Sequence, residues 1–301
     1  MTWGLCTVQD AAGASRPAAF RVADGAVLEL PVSYPSTLAL LDDWDVASTS
    51  LRGFDPSGAP VIEGASLLAP LLYPRKVFGG GANYRDHLME MTGNEPPADF
   101  VSWFFVSPPT TTVVGPGSDV LISPDPQQKV DWEAELAVVM AHRVRDVDVD
   151  DVERHVAGFM VVNDITARGL LPRTVFPAPP FAFDWIAAKS QDTFWPMGPA
   201  IVPTWLVPDP DDLAIRLWVN DEIKQDSSTS QLIIGWRRLV SDISRRITLE
   251  PGDVIATGTP AGVGMPKGTF LHHGDRVRVE ITGLGTLDNV IVERGRAATD
   301  Q

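Results

Sequence analysis

The stretch Asp131-Trp-Glu-Ala-Glu-Leu-Ala-Val-Val-Met140 decides the reading of this chain. It sets three acidic residues at alternate positions on the entry to an apolar, β-branched run. Side chains at i, i+2 and i+4 of a strand share one face, so Asp131, Glu133 and Glu135 are expected to point the same way. Three carboxylates on one face repel one another unless a cation sits among them or some carry protons. The run therefore predicts a strand entering the core with a divalent-metal site at its mouth. The alternative is a solvated edge of an acidic protein.

A further ligand comes from Gly158-Phe-Met-Val-Val-Asn-Asp164, a short apolar run ending in Asn163 and Asp164. A carboxylate at a strand end beside a loop is a common place for function. Glu133, Glu135 and Asp164 make an all-oxygen set, which suits Mg²⁺, Mn²⁺ or Ca²⁺ rather than zinc. So few protein ligands also leave room for water and substrate.

The chain has 301 residues, 44% of them hydrophobic and 21% charged, as in an ordinary globular protein of one or two domains. Its 25 glycines and 26 prolines favour many short strands and turns over a helix bundle. A formal charge of −15 argues against nucleic acid, whose phosphates need a concentrated basic surface. Cys6 is the single cysteine, which excludes an intrachain disulfide and a cysteine-based metal site. Residues 1–20 lack a signal-peptide pattern, and no window is apolar enough for a membrane span, so a cytoplasmic protein is expected.

Along the chain, residues 1–70 are expected to form a small N-terminal domain of strands with one or two short helices. Residues 71–301 then make the catalytic domain, after a proline-punctuated linker at Ser66–Pro74. Strands are expected near residues 76–78, 113–114, 120–122, 135–140, 213–219, 253–257, 276–281 and 289–292. A short helix is expected over 148–155 and a longer one over 229–244. Trp103–Phe105 reads as core.

Three further segments carry chemistry. Gly79-Gly-Gly-Ala-Asn-Tyr-Arg-Asp-His-Leu-Met-Glu90 is a glycine run leading into a helix start. His87 and Glu90, three apart, share a helix face and can form an oriented base or an ordinary exposed pair. Lys189, between apolar segments, can pair with the acids, stabilise an oxyanion, or snorkel from a core edge. Residues 249–264 form a strand feeding a glycine-rich loop that either approaches a ligand or simply turns. It is no P-loop, because Gly268 and not Ser or Thr follows Lys267.

Taken together, these segments resemble the fumarylacetoacetate hydrolase family. The matches are Gly81-Ala-Asn-Tyr-Arg-Asp-His87 with Glu90, Gly115-Pro-Gly117, Asp131 to Leu136, Asn163-Asp-Ile-Thr-Ala-Arg168 and Lys189-Ser190. They continue through Val219-Asn220, Gln225 to Ser230, Pro251 to Gly264, and Gly274-Asp275 with Gly283 to Asn289, in the family's order over residues 76–292. The resemblance implies a mainly β, α+β fold: a β-roll catalytic domain with short helices behind a small N-terminal domain, usually as a homodimer. It maps the metal ligands onto Glu133, Glu135 and Asp164, around Mg²⁺ or Mn²⁺. It maps the lid dyad onto His87 and Glu90 and the site lysine onto Lys189. Tyr84, Arg85, Arg168 and Thr259, with Ser107 and Leu171, are the candidate substrate contacts.

The implied activity is hydrolysis of a C–C bond in an acylpyruvate-like keto acid or 1,3-diketone. An isomerase or decarboxylase on the same fold is the alternative, and a non-catalytic ligand-binding protein a distant one. Departures from the family pattern concern the pocket. Ser107 stands where many members carry lysine, and Gly169 and Leu171 stand where an acid and a glutamine are common. With the aromatics of residues 176–185, these changes predict a preference for a hydrophobic or aromatic acyl group over a short diacid.

Overall fold

The computed structural model describes residues 1–10 and 12–296. The segment read as the deciding strand is central to it. Ala134–Met140 lies between Val156–Asn163 and Val254–Ala256, antiparallel to both, with Ala137 opposite Met160 on one side and Ala256 on the other. Every residue of the strand is buried, which explains its nearly continuous apolar run. Its side chains alternate between two cores: Leu136, Val138 and Met140 enter one, Ala137 and Val139 the other.

The strand belongs to an eleven-stranded mixed sheet. From one edge the order is Val27–Leu28, Ser15–Arg21, Trp3–Gln9, Trp195–Pro203, Val156–Asn163, Ala134–Met140, Val254–Ala256, Val77–Gly80 and Phe104–Ser107. Ser66–Leu68 pairs with Trp3–Gln9, and Val113–Val114 with Trp195–Pro203. A five-stranded sheet runs Glu222–Ser228, Ala214–Val219, Arg276–Ile281, Gly285–Glu293 and Asp119–Ile122. Its inward residues Ile215, Leu217, Val277 and Val279 share the first core with Leu136 and Val138, so the two sheets pack face to face. The second core is closed by the short helices Thr37–Asp42 and Trp44–Leu51 through Leu40, Leu41 and Trp44. This mainly β arrangement with short helices is the expected fold class.

Local readings differ in four places. Ser66–Leu68, expected as the start of a linker, is a strand paired antiparallel with Trp3–Gln9. The expected strand does not run unbroken from Asp131. Val130–Asp131 pairs with Thr166–Ala167 in a separate two-stranded ribbon, and regular pairing resumes at Ala134. The segment 149–155 is a 3₁₀ helix, and the helix expected over 229–244 is shorter, Trp236–Ser244, with Thr229–Gln231 in a separate 3₁₀ turn. Among the described residues no helix is long and apolar enough to cross a membrane.

Candidate active site

The acidic set is assembled at one end of the central strand by polar side chains that clamp backbone. The Asn163 Oδ1 accepts from the Glu133 N–H at 3.0 Å, and the Asp164 N–H donates to the Glu133 carbonyl at 2.9 Å. Gln225, fully buried, accepts from the Ala134 N–H at 2.9 Å while its amide donates to Thr259 Oγ1 and the Pro260 carbonyl. Thr259 in turn donates to the Ala134 carbonyl at 2.9 Å. Irregular backbone at this depth is tolerated because each of these polar groups has a partner.

Glu133, Glu135 and Asp164 are all buried, and each offers a carboxylate oxygen within 4.8 Å of the others. Lys189 Nζ donates at 2.6 Å to both Glu133 Oε2 and Asp164 Oδ2. Arg168 donates to Glu133 Oε1 at 2.6 Å and to Asp131 Oδ2 at 2.9 Å. Four carboxylates thus face two cations, which leaves two excess negative charges if all four ionise. Burial, opposed by Lys189, pushes Asp164 up to about 7. Burial and the Asp164 and Glu133 charges push Glu135 well above the usual carboxylate range. Glu133, although buried, is held down at about 2 by Lys189 and Arg168. Protons thus supply the balance where no cation does. Asp164 Oδ1 is buried without a hydrogen-bond partner. An orphaned carboxylate oxygen, an all-oxygen donor set and a two-charge excess fit a hard divalent cation.

The third acid of the opening stretch is used differently. Asp131 accepts from the Gly264 N–H at 2.7 Å, the Met265 N–H at 3.1 Å and the Arg168 Nε. It anchors the glycine-rich loop and fixes Arg168 instead of joining the metal set. The shared face expected for Asp131, Glu133 and Glu135 is lost because the chain leaves the strand before Ala134.

The cavity beside the acids is about 320 Å³. His87 enters it from the helix Arg85–Thr92, which follows a turn through Ala82 at φ 51°. Asn83 holds that turn by donating to the Thr257 and Ile234 carbonyls and accepting from the Ile234 N–H. His87 Nδ1 lies 3.9 Å from Glu90 Oε2, beyond hydrogen-bond reach, and has no other partner. Glu90 Oε2 accepts instead from the Gly262 N–H at 2.8 Å.

The opposite lining is aromatic. Trp103 and Trp185 lie with ring centroids 4.3 Å apart, and Phe105 stacks on Trp185 at 5.7 Å. The expectation that Trp103–Phe105 is core is corrected for Trp103, which is 39% exposed: Phe104 and Phe105 pack against the two cores, and the Trp103 and Phe105 rings form a wall of the cavity. The glycine run has a related use. A Cβ on Gly79 would sit 2.4 Å from the Phe105 ring, and one on Gly81 1.9 Å from the Trp103 ring. These glycines make room for the wall by close approach.

Thus the cavity gathers His87, Glu133, Glu135, Asp164, Arg168, Lys189, Thr259 and Leu171 from the expected set, with Glu90 just behind His87. Three expected contacts lie elsewhere. Tyr84 is fully buried, with its hydroxyl unpartnered; Arg85 pairs with Glu95 in an exposed bridge; Ser107 is buried and donates to Ser190. Gln225, Asn163 and Asn83 are positioning residues that only their motif membership signalled, and Trp185 was legible only as part of an aromatic-rich segment.

Comparison with known proteins follows the same line. Residues 76–292 match the family described as fumarylacetoacetate (FAA) hydrolase C-terminal. Mitochondrial oxaloacetate tautomerase FAHD2B of Homo sapiens is 39% identical over 229 residues, covering 75% of this chain and 69% of that protein. The fumarylacetoacetate hydrolase of Exiguobacterium antarcticum superposes with a TM-score of 0.80 at 32% identity, covering 97% of this chain and 100% of that one. Maleylpyruvate hydrolase of Sphingobium sp. SYK-6, solved with manganese(II) and pyruvate, superposes with a TM-score of 0.75 at 26% identity, covering 96% and 99%. The chain belongs to the fumarylacetoacetate hydrolase family.

Proposed function

We propose that the protein is a divalent-metal-dependent hydrolase, using Mg²⁺ or Mn²⁺, that cleaves the C–C bond of an acylpyruvate-like or other 1,3-dicarbonyl acid. The observation that carries this reading is that His87, with Glu90 at 3.9 Å, shares one cavity with Glu133, Glu135, Asp164 and Lys189. When bound by the three carboxylates, the ion supplies a Lewis acid for the paired oxygens of the 2-oxo acid. His87 takes a proton from water, whose oxygen joins the distal carbonyl carbon. The C–C bond breaks with its electron pair passing to the carbon on the pyruvate side, and His87 returns a proton there. A carboxylic acid and a shortened 2-oxo acid result. Lys189, kept charged by Asp164 and Glu133 despite its burial, steadies negative charge on oxygen. The Gly262 N–H holds Glu90 within one small movement of His87 Nδ1, and such contacts often tighten only with substrate bound.

A second reading, keto–enol tautomerisation of a 2-oxo acid, draws on the oxaloacetate tautomerases among the relatives. It needs the same proton carrier and no attacking water. One experiment separates the two. Metal-loaded protein is incubated with acetylpyruvate, benzoylpyruvate and enol-oxaloacetate, and products are followed by mass and ultraviolet absorbance. Release of the free acid and pyruvate supports the hydrolase. Loss of enol absorbance at constant mass supports the tautomerase, and inertness towards all three refutes both. The expected homodimer belongs to the same reading: Val175, Phe176, Phe181, Phe183 and Ile186, all within one short segment, are exposed apolar side chains suited to self-association, which sedimentation tests.

A further inference from the structure

We propose that the cavity selects 2-oxo acids with a single carboxylate and a distal aromatic ring, and that Trp103, Phe105 and Trp185 make this choice. The inference rests on the functional reading above for the carboxylate end of the ligand.

Two independent observations support it. The first is the wall itself. Trp103, Phe105 and Trp185 present mutually packed rings, 4.3 and 5.7 Å apart by centroid, to the same space that the acid cluster faces. Aromatic faces in such a cluster gain from a further offset or edge-on ring. The geometry is built at the backbone, because Gly79 and Gly81 carry no Cβ where one would collide with Phe105 and Trp103. Trp185 and Lys189 stand one turn apart on the helix Trp185–Lys189, so one element presents both the ring and the charge. Lys189 Nζ lies 5.7 Å from the Phe105 centroid, which places Phe105 where the polar and aromatic ends meet.

The second observation is the use of the cations. Beside His87, the arginine and lysine side chains lining the cavity are Arg168 and Lys189, and each already donates to two carboxylates at the acid end. Neither is left for a second carboxylate at the wall, and Leu171 there offers no donor. Ser107 is buried and bonded to Ser190 away from the cavity. A distal carboxylate at the wall would lose its hydration without a partner.

The test is binding, measured calorimetrically in Mg²⁺ with pyruvate, phenylpyruvate and 2-oxoglutarate, which carry no bond for the hydrolase to cleave. Phenylpyruvate is expected to bind about tenfold more tightly than pyruvate, and 2-oxoglutarate no more tightly than pyruvate. In Trp185→Ala the phenylpyruvate-to-pyruvate ratio should fall towards one. Leu171→Arg, which supplies the missing cation without removing a ring, should raise the 2-oxoglutarate-to-pyruvate ratio. Pyruvate binding with no aromatic preference, or a wild-type preference for 2-oxoglutarate, overturns this inference and leaves the functional reading intact. Failure of all three acids to bind in Mg²⁺ or Mn²⁺ removes both.

Discussion

His87 is the residue on which the proposed chemistry turns. It lines the cavity, is nearly buried, and has a carboxylate close enough to orient it once the 3.9 Å gap closes. Removing a general base costs ~10²–10⁴ in rate. His87→Ala is therefore expected to lose turnover by that factor while binding the metal as tightly as wild type, because the three carboxylates are untouched. Turnover and metal affinity measured on the same preparation check this, and wild-type turnover would require a different base. The residue scale also explains why Asp131 fell away from the metal set. Its neighbours by spacing are Glu133 and Glu135, but the loop amides of Gly264 and Met265 reach it first.

At the scale of elements, the strand Val77–Gly80 and the strand Phe104–Ser107 pair closely because glycine faces phenylalanine: Gly79 lies opposite Phe105 and Gly80 opposite Phe104. The aromatic wall depends on that pairing. In Gly81→Ala the new methyl would meet the Trp103 ring at 1.9 Å, so the ring must move. Overpacking of this kind costs ~1–3 kcal/mol where nothing can give, but Trp103 is partly exposed and free to swing outward. The expected result is a small drop in the urea midpoint and a larger loss of phenylpyruvate affinity. Unchanged affinity would show that Trp103 contributes nothing to the wall. The helix Arg85–Thr92 is fastened as an element too: Asp86 accepts from Ser227 Oγ at 2.6 Å, and Gly93 ends the helix at φ 71°.

For the molecule as a whole, the acid cluster couples folding, pH and metal. Asp164 titrates near 7 in the fold against 3.8 ordinarily, so its pKa is raised. The folded state keeps a proton that the unfolded chain gives up, and metal-free stability should fall as pH rises from about 4 to about 7. Glu133 runs the other way: held at about 2 against 4.5, it adds stability above 4.5 that is lost as pH falls towards 2. A divalent ion must displace the proton on Asp164, so metal affinity should weaken as pH drops through 7. The expected outcome is a rise in melting temperature on adding Mg²⁺ or Mn²⁺ that is larger at pH 8 than at pH 6. An ion present at about 100 times its dissociation constant contributes about 2.7 kcal/mol. Equal shifts at both pH values, read by calorimetry, would contradict the proton–metal exchange.

The sequence alone determined the family, the mainly β fold class, the cluster of Glu133, Glu135 and Asp164, and the placing of His87 and Glu90 on one helix. These follow from local periodicity and from motifs in a set order. Some elements were hidden even so. Trp195–Pro203 carries Pro196, Pro199 and Pro203, which argue against a central strand, yet it is fully buried between Val156–Asn163 and Trp3–Gln9. Glu222–Ser228 is a polar edge strand with little apolar alternation to mark it. Only the tertiary structure decided that Lys189 and Arg168 pair with the acids, that Asp131 holds a loop, and that Trp103, Phe105 and Trp185 face the cavity. Lys189 and Glu133 are 56 residues apart, and no local pattern specifies such a meeting. It is set by which strands pair and where the loops between them close, and those non-local contacts are chosen by the packing of the entire sheet.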